Sequence, residues 1–270
     1  MDKYDVKALR FLGKGLLFVL KIPYYIIYYP VKWIVGFGKE VSEHKREDEI
    51  MEKRKSMVPK YEEFKVVQKT EGDYSKWLEN VFKSDSKIGI ILGARGSGKT
   101  AFGMKLLENM HVKSKKECFA MGFDEKELPS WIKGATDISQ IKNNSFVLID
   151  EGGILFNSRS AMSSANKLLS SLMLIARHKN ISIIFISQNS SNLEVNILRQ
   201  ADFLALKPSS LLQKDFERKI IQKIYESMEK DFKKFKSERG ITYIHSDSFT
   251  GFVSNPLPSF WKETISKSFK

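Results

Sequence analysis

Apolar residues occur in five short runs along the chain, and stretches with the period of a helix separate several of them. Each run is brief and ends at polar or turn-forming residues, which is typical of a buried strand. The runs lie at 87–92, 117–122, 145–149, 181–186 and 202–206. Helical patterns follow the first run to about Met110 and precede the fourth over Ser160–Lys179. Strands that alternate with helices predict an α/β fold with a mostly parallel sheet.

Further elements are predicted outside these runs. They are a strand over 61–67 and helices over 73–82 and 192–200. Ser209–Arg239 predicts one long charged helix that packs on the core. Its apolar positions recur every three or four residues, at Leu212, Phe216, Ile220, Ile224, Met228, Phe232 and Phe235. A hairpin is predicted over 241–254, and we expect the aromatic segment Pro256–Trp261 to dock on a ring or a partner.

The first run leads into Gly93–Thr100, which fits the Walker A pattern G-x-x-x-x-G-K-[ST] at every fixed position. A strand, a glycine loop and a helix in this order direct backbone N–H groups and a helix N-terminus at one anion. We predict that Lys99 contacts the β- and γ-phosphates of ATP and that the Thr100 hydroxyl holds Mg²⁺. The predicted nucleotide-binding residues are Gly93, Ala94, Arg95, Gly96, Ser97, Gly98, Lys99, Thr100 and Ala101.

The third run ends in two acids, Asp150 and Glu151, followed by two glycines. A buried strand can end in this way only if a cation or hydrogen-bond donors compensate the charges. We predict that Asp150 is the Walker B acid in the shell of Mg²⁺ and that Glu151 is the general base that polarises the attacking water. Two solvated acids on a surface loop are the alternative. A carboxylate base beside Asp150 favours hydrolysis of ATP over transfer of its phosphoryl group to a small substrate.

The fourth run ends at Gln188. Ligands of parallel sheets bind at the carboxyl ends of the strands, so Gln188 is predicted to lie beside Asp150. There it would orient water or sense the γ-phosphate. An ordinary residue of a strand-end turn is the alternative.

The N-terminal stretch 1–40 has an unusual composition, with no acid between Asp5 and Glu40. Its lysines at 7, 14, 21, 32 and 39 are separated by 7 or 11 residues. Steps of 7 and 11 return to within about 20° of one direction on a helix, which gives a basic stripe beside a wide apolar face. This pattern favours an interfacial anchor or a re-entrant hairpin on an anionic membrane. An amphipathic arm that packs on another protein is the alternative.

The composition restricts the class of partner and the compartment. The formal net charge of +13 favours a polyanion, either nucleic acid or an anionic membrane surface. The single cysteine, Cys118, excludes an internal disulfide and fits a reducing compartment. The sequence has no N-K-x-D motif, no L-S-G-G-Q motif and no arginine-rich lid. These absences argue against a GTPase, an ABC ATPase and a small-molecule kinase.

The core resembles the FtsK–HerA superfamily of ATP-driven pumps. The resemblance covers about 85–208. It depends on the Walker A loop, the strand that ends in Asp150-Glu151, a helix that ends in Arg177-His178, the strand that ends in Gln188, and the segment 197–202. It is greatest to genome-packaging ATPases of membrane-containing viruses and to zonula-occludens-toxin-like assembly ATPases of filamentous phages. The resemblance implies a RecA-like (ASCE) P-loop NTPase fold and a ring, hexameric in the family, with ATP at subunit interfaces.

Such a ring needs an arginine that reaches the γ-phosphate of the neighbouring subunit. The candidates are Arg199, Arg177 and Arg159, in that order of preference, and for each the alternative is a surface salt bridge. Arg95 occupies a variable position of the loop and is expected to be solvated or interfacial.

Together these patterns predict four regions: a membrane-seeking arm over 1–40, a charged linker over 41–60, an ATPase core over 61–208, and a C-terminal helix, hairpin and tail over 209–270. We hypothesise a motor that moves double-stranded DNA and packages a viral genome at the cytoplasmic face of a host or virion membrane. The first alternative is a membrane ATPase that drives virion assembly or extrusion. The second is a nucleotide-dependent membrane scaffold with little turnover. Cargo, ring size and direction stay open.

Overall fold

The computed structural model describes residues 32–33, 41–83, 86–152, 170–171 and 173–267. The chain divides into two compact units, Met1–Glu52 and Lys53–Lys270. In the first unit the described residues are helical, and helix α1 covers 41–55 with mostly exposed side chains over 41–53. No helix among the described residues has the length and apolar character needed to cross a membrane. The predicted amphipathic arm lies outside the described residues except for 32–33.

Within the described part of the second unit, nine strands form one sheet. They are β1 (Lys65–Gly72), β2 (Ile88–Leu92), β3 (Glu117–Met121), β4 (Ile132–Gly134), β5 (Ser145–Asp150), β6 (Ser182–Ile186), β7 (Phe203–Leu206), β8 (Ile241–Ser246) and β9 (Phe249–Ser254). Their order across the sheet is β1-β9-β8-β7-β2-β6-β5-β3-β4. The six strands from β7 to β4 are parallel, and β8, β9 and β1 add antiparallel pairs. The predicted α/β fold is therefore confirmed.

Helices cover both faces of this sheet. They are α2 (Tyr74–Lys83), α3 (Lys99–Ser114), α4 (described at 170–171 and 173–179), α5 (Val195–Arg199), α6 (Leu211–Asp215), α7 (Lys219–Lys234) and α8 (Glu263–Lys267). Asp73 begins α2 as predicted, because its carboxylate accepts a hydrogen bond from the backbone N–H of Lys76 at 3.1 Å. The helix then buries Trp77 and Val81.

The alternating side chains of the strands form two cores, one on each face of the sheet. Ile90 and Leu92 of β2 lie in one core, and Ile91 lies in the other with Phe102 of α3. Helix α3 packs closely on the sheet at Gly103, where a Cβ would lie 2.9 Å from Leu148 Cδ1. This close approach fixes the N-terminus of α3 at the carboxyl edge of the sheet, where the glycine loop emerges.

Several elements differ from the predictions. The strand predicted over 61–67 is β1, which begins at Lys65 and continues to Gly72, and β4 was not predicted. The predicted long helix over 209–239 is wrong, because the chain breaks into α6 and α7. The predicted hairpin is confirmed as β8 and β9, and both strands extend the main sheet.

The break at Glu217 also changes which side chains of this segment are buried. Leu212, Phe216 and Ile220 are 75%, 69% and 67% exposed, although the pattern predicted that they pack on the core. Ile221, Tyr225 and Met228 are buried in their place. The described chain therefore carries an exposed apolar strip of three residues, Leu212, Phe216 and Ile220.

Replacing Glu108 by alanine is expected to lower the free energy of unfolding by about 3–5 kcal/mol, because the buried Lys105 ammonium would lose its counterion. The carboxylate lies 2.9 Å from Lys105 Nζ and accepts hydrogen bonds from the backbone N–H groups of Lys60 and Ser259. Urea unfolding measures the change. The double variant Lys105→Met/Glu108→Leu should be less destabilised than Glu108→Ala, and equal loss in both would contradict this explanation.

Candidate active site

The loop between β2 and α3 has the geometry of a phosphate cradle. Gly93, Gly96 and Gly98 have φ values of 146°, 76° and 88°, which side chains with a Cβ rarely adopt. A Cβ on Gly93 would lie 2.6 Å from the Cβ of Lys207. Only glycine therefore lets the backbone come this close to Lys207. The N–H of Ala94 donates to the carbonyl of Pro208 at 3.0 Å and fixes the base of the loop.

Lys99 begins α3, and its amine turns back over the loop. Its Nζ donates to the carbonyl oxygens of Gly93 at 2.8 Å and Ala94 at 2.9 Å. Burial lowers the pKa of Lys99 to about 8, and the carboxylates of Asp150 and Glu151 oppose this shift. The buried ammonium of Lys99 donates its hydrogen bonds to neutral carbonyl groups. It is therefore well placed to bind an anionic group such as a phosphate.

Thr100 and Asp150 come together at the mouth of the loop. The hydroxyl of Thr100 lies 3.4 Å from Oδ2 of Asp150, and the backbone N–H of Gly152 donates to Oδ1 at 3.0 Å. A hydroxyl and a carboxylate side by side are oxygen ligands of the kind that Mg²⁺ prefers. These two residues therefore fit the metal that the sequence predicts.

Glu151 is 4% exposed, and the Ser187 hydroxyl donates a hydrogen bond to its Oε2. Burial raises the pKa of the Glu151 carboxyl above its usual range, while the hydrogen bonds from Ser187 and the backbone of Gln188 limit the rise. A carboxyl with a raised pKa is a better proton acceptor near neutral pH. Ser187 was not predicted, although its position at the end of the fourth apolar run could have indicated it.

Gln188 lines the same cleft as Lys99, Thr100 and Asp150, as predicted from the order of the strands. Strand β6 lies between β2 and β5, which places its carboxyl end between the glycine loop and the two acids. The side-chain amide of Gln213 donates to the backbone carbonyl of Gln188. The segment after β7 thus supports the position that Gln188 occupies.

A buried carboxylate fixes the loop that follows Gln188. Glu217 is 6% exposed and accepts hydrogen bonds from the backbone N–H of Ser190, at 2.7 Å, and from its hydroxyl. Arg218 donates from Nε to the carbonyl of Ser190 at 3.0 Å. These contacts lie between α6 and α7. No local motif indicates them, because Ser190 is far from Glu217 and Arg218 along the chain.

Lys207 lies behind the glycine loop and is fully buried. Its Nζ donates to the carbonyl of Gly240 at 3.0 Å and to Oδ1 of Asn255 at 2.8 Å, both neutral acceptors. Burial lowers the pKa of Lys207 to about 7. Its backbone N–H donates to the carbonyl of Leu92 at 2.8 Å, so the residue joins the loop to the C-terminal hairpin.

The free energy of unfolding is expected to rise between pH 7 and pH 9. Burial holds the pKa of Lys207 at about 7 in the folded state, well below the ordinary lysine pKa of 10.5 that applies to the unfolded chain. In this interval the unfolded chain binds more protons, which adds at most about 1.4 kcal/mol per pH unit for one group. Lys99 contributes with the same sign, since burial also lowers its pKa.

Urea unfolding at pH 7, 8 and 9 tests the contribution of Lys207. The variant Lys207→Met should show a smaller slope than the wild-type chain, and the exposed control Lys219→Met should keep the full slope. An unchanged slope in Lys207→Met would mean that Lys207 keeps its proton up to the unfolded-state pKa.

The cleft at this edge of the sheet has a volume of about 650 Å³. Its walls are the glycine loop with the first turn of α3, Asp150 and Gly152 after β5, the strand end at Ile186–Gln188, and three residues of the C-terminal segment. The last group was not predicted and consists of Trp261, Glu263 and Ser266. Segment 256–261 therefore packs on its own chain, whereas the sequence suggested a ring or a partner.

Of the candidate arginines within the described residues, Arg177 and Arg199 do not line this cleft. Arg177 at the end of α4 and Arg199 at the end of α5 are both exposed. Arg95 is exposed at the rim of the cleft, and Arg159 lies outside the described residues. An exposed position is compatible with action on a neighbouring subunit, and the choice among these arginines stays a prediction.

Residues 103–205 match the family model described as zonular occludens toxin (Zot). The match includes the strands that carry Asp150, Glu151 and Gln188, and it begins directly after the Walker A loop. The match covers less than half of the chain, which over these residues is similar to the Zot family. A search of curated proteins found no match.

Solved structures with similar folds include viral, bacterial and toxin-related chains. The DNA-packaging ATPase B204 from Sulfolobus Turreted Icosahedral Virus is 14% identical, with a TM-score of 0.44, and the match covers 64% of this chain and 98% of B204. EssC (ATPases 2 and 3) from Geobacillus thermodenitrificans is 12% identical, with a TM-score of 0.43 and coverage of 78% and 49%. The N-terminal domain of zonular occludens toxin from Neisseria meningitidis is 18% identical, with a TM-score of 0.28 and coverage of 45% and 76%.

Proposed function

We propose that this P-loop ATPase is a ring motor of the FtsK–HerA type that hydrolyses ATP to move double-stranded DNA during viral genome packaging. The observation that carries the proposal is one cleft lined by Lys99, Thr100 and Asp150, with the buried Glu151 directly behind Ser187 of its wall. A phosphate cradle beside a buried carboxylate base is the arrangement that nucleotide hydrolysis requires.

Each residue of the cleft has a separate task. ATP with Mg²⁺ supplies an electrophilic γ-phosphorus and a good leaving group. Lys99 would bind the β- and γ-phosphates, and Thr100 and Asp150 would hold the metal through oxygen, where it would neutralise charge on the phosphates. Glu151 accepts a proton of the attacking water at a carboxylate oxygen, and Ser187 fixes the orientation of that carboxylate. Gln188 orients the water or senses the γ-phosphate from the neighbouring strand end.

The exposed apolar strip supports assembly into a ring. Helix α6 follows β7 at the carboxyl edge of the sheet, and its Gln213 contacts the backbone of Gln188. The strip of Leu212, Phe216 and Ile220 therefore lies on the segment that borders the ATP cleft. We propose a second copy of this chain as its partner, with Arg199 or Arg177 acting in trans and a hexamer as the expected ring.

Charge supports DNA as the cargo. The net charge is +13, and α7 with its C-terminal end exposes Lys219, Lys223, Lys230, Lys233, Lys234 and Lys236. Lys233 is paired with Glu229 at 2.7 Å, so not all of these lysines are equally available to phosphates. Binding of this kind weakens as salt rises, because it releases counterions.

The match to the Zot family model favours a second function for the same site. In this alternative the chain is a membrane ATPase that drives virion assembly or extrusion from the cytoplasmic face of a membrane. The contact with anionic lipid or a membrane protein would come from residues 7–39. A scaffold that binds nucleotide with little turnover is the remaining alternative.

Steady-state ATP hydrolysis of the full chain distinguishes these functions. The hydrolysis rate is measured for the protein alone, after addition of double-stranded DNA, and after addition of anionic liposomes. The variant Glu151→Gln is the blank. Stimulation by DNA that falls as salt rises supports the translocating motor. Stimulation by liposomes without a DNA effect supports the assembly ATPase. Nucleotide binding without turnover in all three conditions overturns both the translocating motor and the assembly ATPase, and it supports the scaffold.

A further inference from the structure

The C-terminal segment contributes an aromatic wall to the cleft that contains the phosphate loop. Trp261 is half-buried and lines the cleft together with Thr100 and Ala101 of the first turn of α3. Glu263 and Ser266 continue the same wall. The phosphate loop and the strand ends account for the phosphates and the metal, and they leave this wall without a role.

Contacts on both sides of Trp261 hold the segment in place. Before it, the backbone N–H of Ser259 donates to Oε2 of Glu108 at 3.2 Å, and Phe260 packs edge-on against Trp131 with ring centroids 5.5 Å apart. After it, the Thr264 hydroxyl donates to Oε2 of Glu127 at 2.8 Å, and Ile265 is 1% exposed.

These anchors restrict the position of Trp261. The side chain packs partly against the core that contains Phe260 and Ile265. Its backbone N–H donates to the carbonyl of Pro258 at 3.0 Å, in a tight turn. A half-exposed indole that its neighbours hold at the rim of a polar cleft presents a ring surface at little further entropic cost.

We propose that Trp261 forms the nucleobase subsite of this cleft and stacks on the base of a bound nucleotide. The inference depends on the proposed function, because it takes the phosphates to lie on the Walker A loop. Stacking uses the π-face that every base has. The subsite is therefore expected to bind purine triphosphates with weak discrimination, with ATP and GTP affinities within about tenfold.

Equilibrium binding of ATP and of inorganic triphosphate to the full chain tests the subsite. Trp261→Ala should weaken ATP binding by about 5- to 150-fold, the factor expected for one stacked base, and should leave triphosphate binding unchanged. Trp261→Phe should retain most of the ATP affinity. Leu257→Ala is the matched control, because Leu257 is exposed in the same segment and does not line the cleft.

The outcomes separate this inference from the proposed function. Equal weakening of ATP and triphosphate binding by Trp261→Ala, or no weakening of either, overturns the base subsite. Failure of the wild-type chain to bind triphosphate at all overturns the phosphate site itself, and with it the proposed function.

Tryptophan fluorescence provides a second test if Trp261→Ala does not fold. ATP, but not triphosphate, should change the emission of the wild-type chain, and Trp261→Phe should remove that change. The same ATP-induced change in wild type and Trp261→Phe overturns the proposal.

Discussion

Replacing Glu151 by glutamine is expected to reduce steady-state ATP hydrolysis by about 10²- to 10⁴-fold, the usual contribution of a positioned general base. The amide cannot accept the proton of the attacking water. It keeps the shape of the carboxylate and can still accept the hydrogen bond from Ser187. ATP binding should therefore stay within about threefold of wild type. Phosphate release and equilibrium binding measure the two effects separately.

The matched control is Glu226→Gln, because Glu226 is an exposed acid on α7. This change should leave both hydrolysis and binding as they are in the wild-type chain. If Glu151→Gln hydrolyses ATP at the wild-type rate, Glu151 is not the general base. Loss of ATP binding in that variant would instead give Glu151 a role in nucleotide binding.

Replacing Lys99 by alanine is expected to weaken ATP binding by about 10- to 150-fold, because a hydrogen bond to a charged group contributes about 1.5–3 kcal/mol. Titration calorimetry at pH 7 is the measurement, since burial lowers the pKa of Lys99 to about 8 and the amine is then mostly protonated. Raising the pH above 8 should weaken ATP binding to the wild-type chain, because the amine loses its charge.

Lys76→Ala is the control. Lys76 is an exposed lysine of α2 that does not line the cleft, so its loss should change the ATP affinity of the isolated chain by less than about threefold. ATP binding by Lys99→Ala at the wild-type affinity would contradict the phosphate site. A large effect of Lys76→Ala would show that the loss of any lysine charge, and not of the contact from Lys99, weakens ATP binding.

The Walker A loop, the two acids and Gln188 could be predicted because each follows a buried strand. A parallel sheet places the carboxyl ends of its strands at one edge. Residues in local motifs after three such strands are thus brought together by topology. The structure joins Thr100 to Asp150 at 3.4 Å, and Glu151 and Gln188 meet at the next strand end.

The supporting residues could not be predicted in this way. Lys207 bonds to Asn255 across the sheet, and Glu217 bonds to Ser190. These side chains belong to no local motif. Their polar groups are explained only by partners that packing brings close, since buried polar groups need hydrogen bonds.

The C-terminal half shows the limit of periodicity. The pattern over 209–239 predicts a single helix, because apolar residues recur at the helical period throughout. A buried carboxylate at Glu217 instead breaks the segment, since its hydrogen bonds to Ser190 and the turn at Arg218 stabilise a different path. Tertiary contacts therefore outweighed local propensity at this position.

The sequence by itself determined the α/β class, the phosphate loop and the acids of the site, because these depend on local strand and loop patterns. The tertiary structure alone decided that Lys207 lies behind the loop, that Leu212, Phe216 and Ile220 are exposed, and that Trp261 reaches the cleft. The reason is physical: each of the latter depends on contacts between residues far apart in the chain, and a one-dimensional pattern does not specify which distant side chains compensate a buried charge or cover an apolar face.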